Sequence, residues 1–150
     1  EKEIHLSDIL GAGMGIPGPV LPDGYVEVCV NLGWRDVNPQ KELSAMLDNI
    51  PVKSGNDANV AALGEMWRGG GMGFTDIVMV TLGTGVGGGI IIDEKIIAGG
   101  GGSKAGQFLL DIIDKYYQHY SPISQNKGII GLAKLGNDAG IYGAARLVLG

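Results

Sequence analysis

The run Val78–Ile92, Val-Met-Val-Thr-Leu-Gly-Thr-Gly-Val-Gly-Gly-Gly-Ile-Ile-Ile, constrains this chain more than any other stretch. Two β-branched apolar runs flank five glycines and one threonine. The flanks read as buried strands. Without Cβ atoms, main-chain N–H groups can converge into a nest that attracts phosphate. Thr84 adds a hydroxyl able to bond a phosphate oxygen. Gly83, Gly85 and Gly88 also spell G-x-G-x-x-G, but a dinucleotide loop has to open a helix. Here Gly89 runs into Ile90-Ile91-Ile92-Asp93, which is strand-like. The spacing therefore predicts a hairpin over Thr81–Gly89. No Gly-Lys-Ser/Thr follows, so it is not a Walker loop. From this stretch alone, a tight glycine hairpin that binds nothing stays open beside the phosphate clamp.

Glycine is also the compositional outlier, 28 of 150 residues, against a usual share of about 7%. The glycines cluster between apolar runs, as in folds whose backbone approaches ligands closely. The formal net charge of −5 disfavours a non-specific nucleic-acid binder. The single cysteine, Cys29, excludes an intrachain disulfide and a multi-cysteine zinc site, and fits a reducing cytoplasm. No apolar run reaches transmembrane length and no signal peptide is visible.

Along the chain, Ile9–Ile16 reads as a buried strand of small residues, stopped by Pro17-Gly18-Pro19. That stop is either a plain turn or a strand end whose main chain faces a ligand. Val26–Val30 is a second strand, and Asn31-Leu32-Gly33-Trp34 leaves it. Asn31 carries a donor and an acceptor and suits a hydroxyl group or a turn equally. Pro39–Leu47 reads as a short helix with Leu43, Met46 and Leu47 inward, and Pro51–Ser54 as a strand. Gly55-Asn56-Asp57-Ala58-Asn59 opens a helix over Val60–Trp67. Asn56 and Asp57 are good caps, and Asp57 at a strand-to-helix turn is also a candidate general base. Gly69–Gly73 is a glycine-rich turn and candidate lobe boundary. Lys95–Ala98 ends the second strand of the central hairpin. Residues 99–103, Gly-Gly-Gly-Gly-Ser, read either as a linker or as a loop opening a helix. Lys104–Tyr120 is amphipathic, with Phe108, Leu109, Ile112, Ile113, Tyr116, Tyr117 and Tyr120 on one face; His119 near its end is given no role. Ile129–Leu135 reads as a last strand, and Gly136-Asn137-Asp138-Ala139-Gly140 as the cap of a last helix. Local chemistry does not separate the two Asn-Asp pairs. Alternating strands and helices give an α/β fold.

Pro17-Gly18-Pro19-Val20, Asn31-Leu32-Gly33-Trp34, Asn56-Asp57-Ala58-Asn59 with Ala61-Ala62-Leu63-Gly64-Glu65, and Leu82–Gly89 recur in this order in bacterial glucokinases of the ROK family. The chain resembles them over residues 9–98 and again over residues 99–150. The resemblance implies an α/β, actin-like ATPase (ribonuclease H-like) fold, incomplete here, with two lobes around a cleft. It implies ATP- and Mg²⁺-dependent phosphorylation of a hexose, foremost glucose, at its 6-hydroxyl. Asp57 matches the base. Gly18, Asn31, Asn56 and Asp57 match sugar-binding positions. Gly83, Thr84, Gly85, Gly87 and Gly88 match the phosphate loop, and Gly101, Gly102 and Gly136 the adenosine side; Asp138 is then a cap. Residues 1–72 would belong to a sugar-binding lobe and 73–150 to a nucleotide-binding lobe, with the last helix returning to the first. The parent protein is expected to be a homodimer or homotetramer, and the charge, cysteine usage and short apolar runs point to a cytoplasmic protein without nucleic-acid or membrane partners.

Three features of the family pattern do not appear. An Asp-x-Gly-Gly-Thr phosphate hairpin is expected before Glu1. A Glu-x-Gly-His sugar contact and a zinc site of one histidine and three cysteines are expected between Ala98 and Gly99, so a deletion is read near 98–103. Two further readings stand beside the kinase. One is a sugar-responsive transcriptional regulator of the same family, disfavoured because no helix-turn-helix has room before Ile9. The other is a scaffold that folds without activity.

Overall fold

The computed structural model describes residues 5–82, 86–100, 115 and 128–150. Strands β1 (Ala12–Ile16) and β4 (Val52–Asn56) pair in parallel, with Ala12 opposite Val52 and Ile16 opposite Asn56. A parallel register brings both C-terminal ends to one edge, where β1 enters Pro17-Gly18 and β4 enters helix α2 (Asp57–Arg68). Between them, β2 (Val26–Cys29) and β3 (Trp34–Val37) form an antiparallel ribbon around the 3₁₀ turn Val30–Leu32. Ile16, Val26 and Cys29 form one buried cluster, edged by Met14, Val20, Trp34 and Val37. The Tyr25 hydroxyl donates to Asp36 Oδ1 at 2.8 Å, which raises its pKa above the ordinary tyrosine value. Helix α1 (Pro39–Met46) starts where Asn38 accepts from the Lys41 N–H and Pro39 fills the first helical position.

A second sheet holds β5 (Ile77–Leu82), β6 (Val86–Ile92) and β7 (Lys95–Gly100), all antiparallel. Leu82 opposes Val86, so the glycine stretch is a hairpin, and no helix opens after Gly89. One face of this sheet lies on α2, where Ala62, Leu63 and Met66 bury Ile91 with Ile77, Met79 and Ile96 around them. Helix α3 (Ala139–Leu149) crosses α2 and also covers β1 and β4. The crossing is backbone on backbone. A Cβ at Gly64 would fall on the Ala139 carbonyl, and one at Gly143 on the Val60 carbonyl. Among the described residues, no helix is long and apolar enough to cross a membrane.

Several local expectations change. Ile9 and Leu10 are exposed and precede β1, whose small residues Gly13 and Ala12 let α3 lie on it. Val30 leaves β2 for the 3₁₀ turn, and Met46 points outward at 79% exposure because α1 is covered on a narrow stripe only. Helix α2 begins at Asp57, three residues before the apolar run. Lys95–Gly100 is a separate third strand, and Gly99 and Gly100 pair with Gly89 and Gly88, which rules out a linker at those two positions. Ile129–Leu135 is not a strand: Ile129 is 81% exposed, and the N–H groups of Lys134 and Leu135 go to a carboxylate instead of a ladder. Asp138 makes no side-chain cap, because the 3₁₀ turn Gly136–Asp138 runs straight into α3 and its φ of −76° and ψ of −13° are already helical. The amphipathic run Lys104–Tyr120 lies, except for Lys115, outside the described residues.

Candidate functional site

The parallel pair positions the site. Ile16 and Asn56 are the last paired residues of β1 and β4, so Gly18 and Asn56 leave the sheet side by side. The Asn56 side chain uses both of its ends. Its Oδ1 accepts from the N–H groups of Ala58 (3.1 Å) and Asn59 (3.3 Å), capping α2. Its Nδ2 donates to the Gly18 carbonyl at 3.2 Å and to Asp57 Oδ1 at 3.1 Å. One asparagine thus ties the helix start, the Pro17–Pro19 turn and the Asp57 carboxylate together. Asp57 Oδ1 also accepts from the Ala58 N–H at 2.8 Å. With Oδ1 held by two donors, the exposed carboxylate has a fixed orientation and a second oxygen with which to take a proton from a hydroxyl.

The Pro17–Pro19 turn is held from its other side by Cys29, whose thiol donates to the Pro17 carbonyl at 3.3 Å. A Cβ at Gly18 would lie 3.2 Å from that sulfur, so the turn packs tightly. Asn31 is exposed, two residues past Cys29 in the 3₁₀ turn; no hydrogen bond joins it to the Asn56–Asp57 cluster.

The glycine hairpin reaches the same end of α2. At Gly89, strand β6 sits on the first turn of the helix, where an added Cβ would meet Ala62 Cβ at 2.6 Å, the Ala58 carbonyl at 3.2 Å and Asn59 Cα at 3.5 Å. Gly87 and Gly88 lie within β6, opposite Thr81 and Val80, and lead from that contact towards the tip. The tip itself, Gly83, Thr84 and Gly85, lies outside the described residues, as do Gly101 and Gly102. Gly136 is exposed, has φ of +55° and starts the turn into α3. The structure therefore joins Gly18, Asn56 and Asp57, seats Gly89 on Ala58, Asn59 and Ala62 of the same helix, and leaves Asn31 and Gly136 as separate exposed positions.

Two features were missed in the sequence. Glu65 is 3% exposed, and its carboxylate accepts N–H groups from Gly70, Lys134 and Leu135. Its spacing from Ala58 and Ala62 puts it on the buried face of α2, which is the signal that would have found it. Asn59 has a buried Oδ1 that makes no hydrogen bond among the described residues. Among the described residues, no group of three or more His, Cys, Asp or Glu side chains is arranged to hold a metal. The one-histidine, three-cysteine zinc site that the resemblance implies does not fit this chain, whose one cysteine is buried against Pro17.

A β1–β4 edge feeding a helix that carries a positioned carboxylate, with a glycine hairpin on that helix, defines a protein with part of an actin-like ATPase fold. Residues 1–111 match the ROK family, and the chain belongs to it. It is 48% identical over 94 residues to a glucokinase of Halalkalibacterium halodurans, covering 62% of this chain and 28% of that protein. It is 40% identical over 95 residues to the xylose repressor of Caldicellulosiruptor bescii, covering 63% of this chain and 24% of that protein. The solved ROK glucokinase of Streptomyces griseus, in complex with glucose and AMPPNP, superposes with a TM-score of 0.54 at 38% identity, over 60% of this chain and 29% of that one. The inorganic polyphosphate/ATP-glucomannokinase of Arthrobacter sp. strain KM shares the fold over 91% of this chain and 72% of that one, with a TM-score of 0.61 at 24% identity. The chain thus spans between a quarter and a third of the length of the glucokinases it matches.

Proposed function

We propose that this chain is an incomplete version of a kinase that phosphorylates a hexose, foremost glucose, with Mg-ATP as the phosphoryl donor; the intact protein is that kinase at full length. The observation that carries this reading is the Asp57 carboxylate, fixed by Asn56 on the first turn of α2, with Gly89 of the glycine hairpin on the same turn. Asp57 takes the proton of the sugar 6-hydroxyl as its oxygen bonds to the γ-phosphorus and the bond to the ADP oxygen breaks. Gly18, Asn31 and Asn56 hold sugar hydroxyls. Gly83, Thr84, Gly85, Gly87 and Gly88 serve the phosphates, the Thr84 hydroxyl bonding a phosphate oxygen. Gly101, Gly102 and Gly136 face the adenosine. Mg²⁺ enters on the nucleotide. Residues 1–72 serve the sugar and 73–150 the nucleotide, with α3 returning to the first group; its packing on β1 and β4 supports that division.

The 40% identity to a xylose repressor favours one other reading, a regulator that binds sugar without turning it over. A coupled ADP-release assay on the intact protein with a panel of hexoses separates the two. The kinase reading expects glucose-dependent turnover that Asp57→Asn lowers by at least about 10²-fold. Sugar binding without such turnover would favour the regulator.

A further inference from the structure

We infer that Glu65 is a positioning residue for the nucleotide, acting through the backbone of Lys134 and Leu135 on the turn that begins at Gly136; this rests on the nucleotide role given to Gly136 above. Glu65 is the one charged side chain buried among the described residues, at 3% exposure. Its Oε2 accepts from the N–H groups of Gly70 (2.7 Å) and Lys134 (2.9 Å), and its Oε1 from that of Leu135 (2.6 Å). Lys134 and Leu135 lie 69 and 70 residues away in sequence. The approach is close: a Cβ at Gly70 would lie 3.0 Å from the Leu132 carbonyl.

The place of this carboxylate gives it a role. Residues 128–133 form no strand, so a sheet ladder does not set the path of the chain into Gly136. A carboxylate with both oxygens on backbone N–H groups sets it instead, through strong charge-assisted bonds. Helix α3 does not depend on this latch, because the Gly64–Gly143 crossing and its packing on β1 hold it separately. Loss of the latch therefore loosens the segment before Gly136 and leaves the helices in place. Glu65 stands on the same helix as Asp57, eight residues on and so about 12 Å along the axis. One rigid helix then carries the base at its start, the hairpin on its first turns and the latch near its end.

The test uses two variants of the intact protein that attack the contact from opposite sides. Glu65→Gln sets an amide NH₂ against a backbone N–H group. Leu135→Pro removes the Leu135 donor at a φ of −84°, close to proline's own. Calorimetry with Mg-AMPPNP reads nucleotide affinity, and tryptophan fluorescence reads glucose affinity. In both variants the nucleotide Kd is expected to rise about tenfold, the equivalent of one charge-assisted hydrogen bond. Glucose Kd stays within about twofold, and KM for Mg-ATP rises by more than kcat falls. Nucleotide and glucose constants that move together, or that both stay put, overturn the inference and leave the functional reading standing. No nucleotide binding by the unaltered protein overturns both. If only one variant folds, that one decides; if neither folds, Glu65 belongs to the folding core and the inference fails.

Discussion

At Asp57, one oxygen is held by Asn56 and by the Ala58 N–H, and the carboxylate stays exposed. At Asp138 the backbone is already helical and the side chain makes no cap. The two Asn-Asp pairs, alike in sequence, are therefore not alike in structure. Asp57→Asn in the intact protein is expected to lower kcat by at least about 10²-fold, the lower range for loss of a general base, with little change in Tm. Asp138→Asn is expected to leave kcat alone and stability within about 0.5 kcal/mol. Steady-state kinetics beside thermal melts check this; equal losses of kcat would overturn the assignment. Asn56→Ala removes the cap of α2 and the tie to Gly18. It is expected to cost about 1 kcal/mol through the cap and to raise KM for the sugar, both measurable on one preparation.

Helix α2 is the element against which the others are set. Its residues Val60 and Gly64 meet Gly143 and Ala139 of α3 with no side chain between the backbones. Gly143→Ala forces the helices apart and is expected to destabilise by about 1–3 kcal/mol, as overpacking does. Urea unfolding that shows no loss would mean the crossing is looser than described. The β6–β7 turn carries Asp93 and Glu94 at φ of 49° and 61°. Its N–H groups are held by Asp76 Oδ1 and the Thr75 carbonyl, both at 2.9 Å. A left-handed backbone costs a non-glycine residue about 1–2 kcal/mol, and Asp-Gly is a preferred pair for such a turn. Glu94→Gly is therefore expected to stabilise by about 1 kcal/mol and to raise Tm.

The whole chain has the Pro17–Pro19 turn, the Asp57 carboxylate and the hairpin strands, and its match covers 28% of a related glucokinase. Phosphoryl transfer depends almost wholly on positioning and electrostatics, so an incomplete set of contacts loses most of the rate. The family resemblance implies a further phosphate hairpin and a Glu-x-Gly-His sugar contact that this sequence does not hold. Each missing charged hydrogen bond is worth roughly 1.5–3 kcal/mol, and three of them about 10³-fold or more in affinity. The 150-residue polypeptide assayed by itself is expected to turn over glucose far below the usual enzyme median of about 10 s⁻¹. A rate near that median would show the missing contacts to be dispensable or supplied by another chain.

Local signals in the sequence determined the hairpin, the start of α2 at an Asn-Asp pair and the break after Ile16, because glycine, asparagine and proline act on backbone geometry at their own positions. They also carried the family resemblance. Ile129–Leu135 failed as a strand because strand character depends on a partner, and its N–H groups end on Glu65 from a distant helix. The same holds for the site. Only the tertiary structure decided which Asn-Asp pair is tied to Gly18, since the parallel register of β1 and β4 brings residues 18 and 56 together. Hydrogen bonds between segments far apart in sequence have no periodicity of their own, so they became visible only once the sheet and the crossing helices fixed where each segment lies.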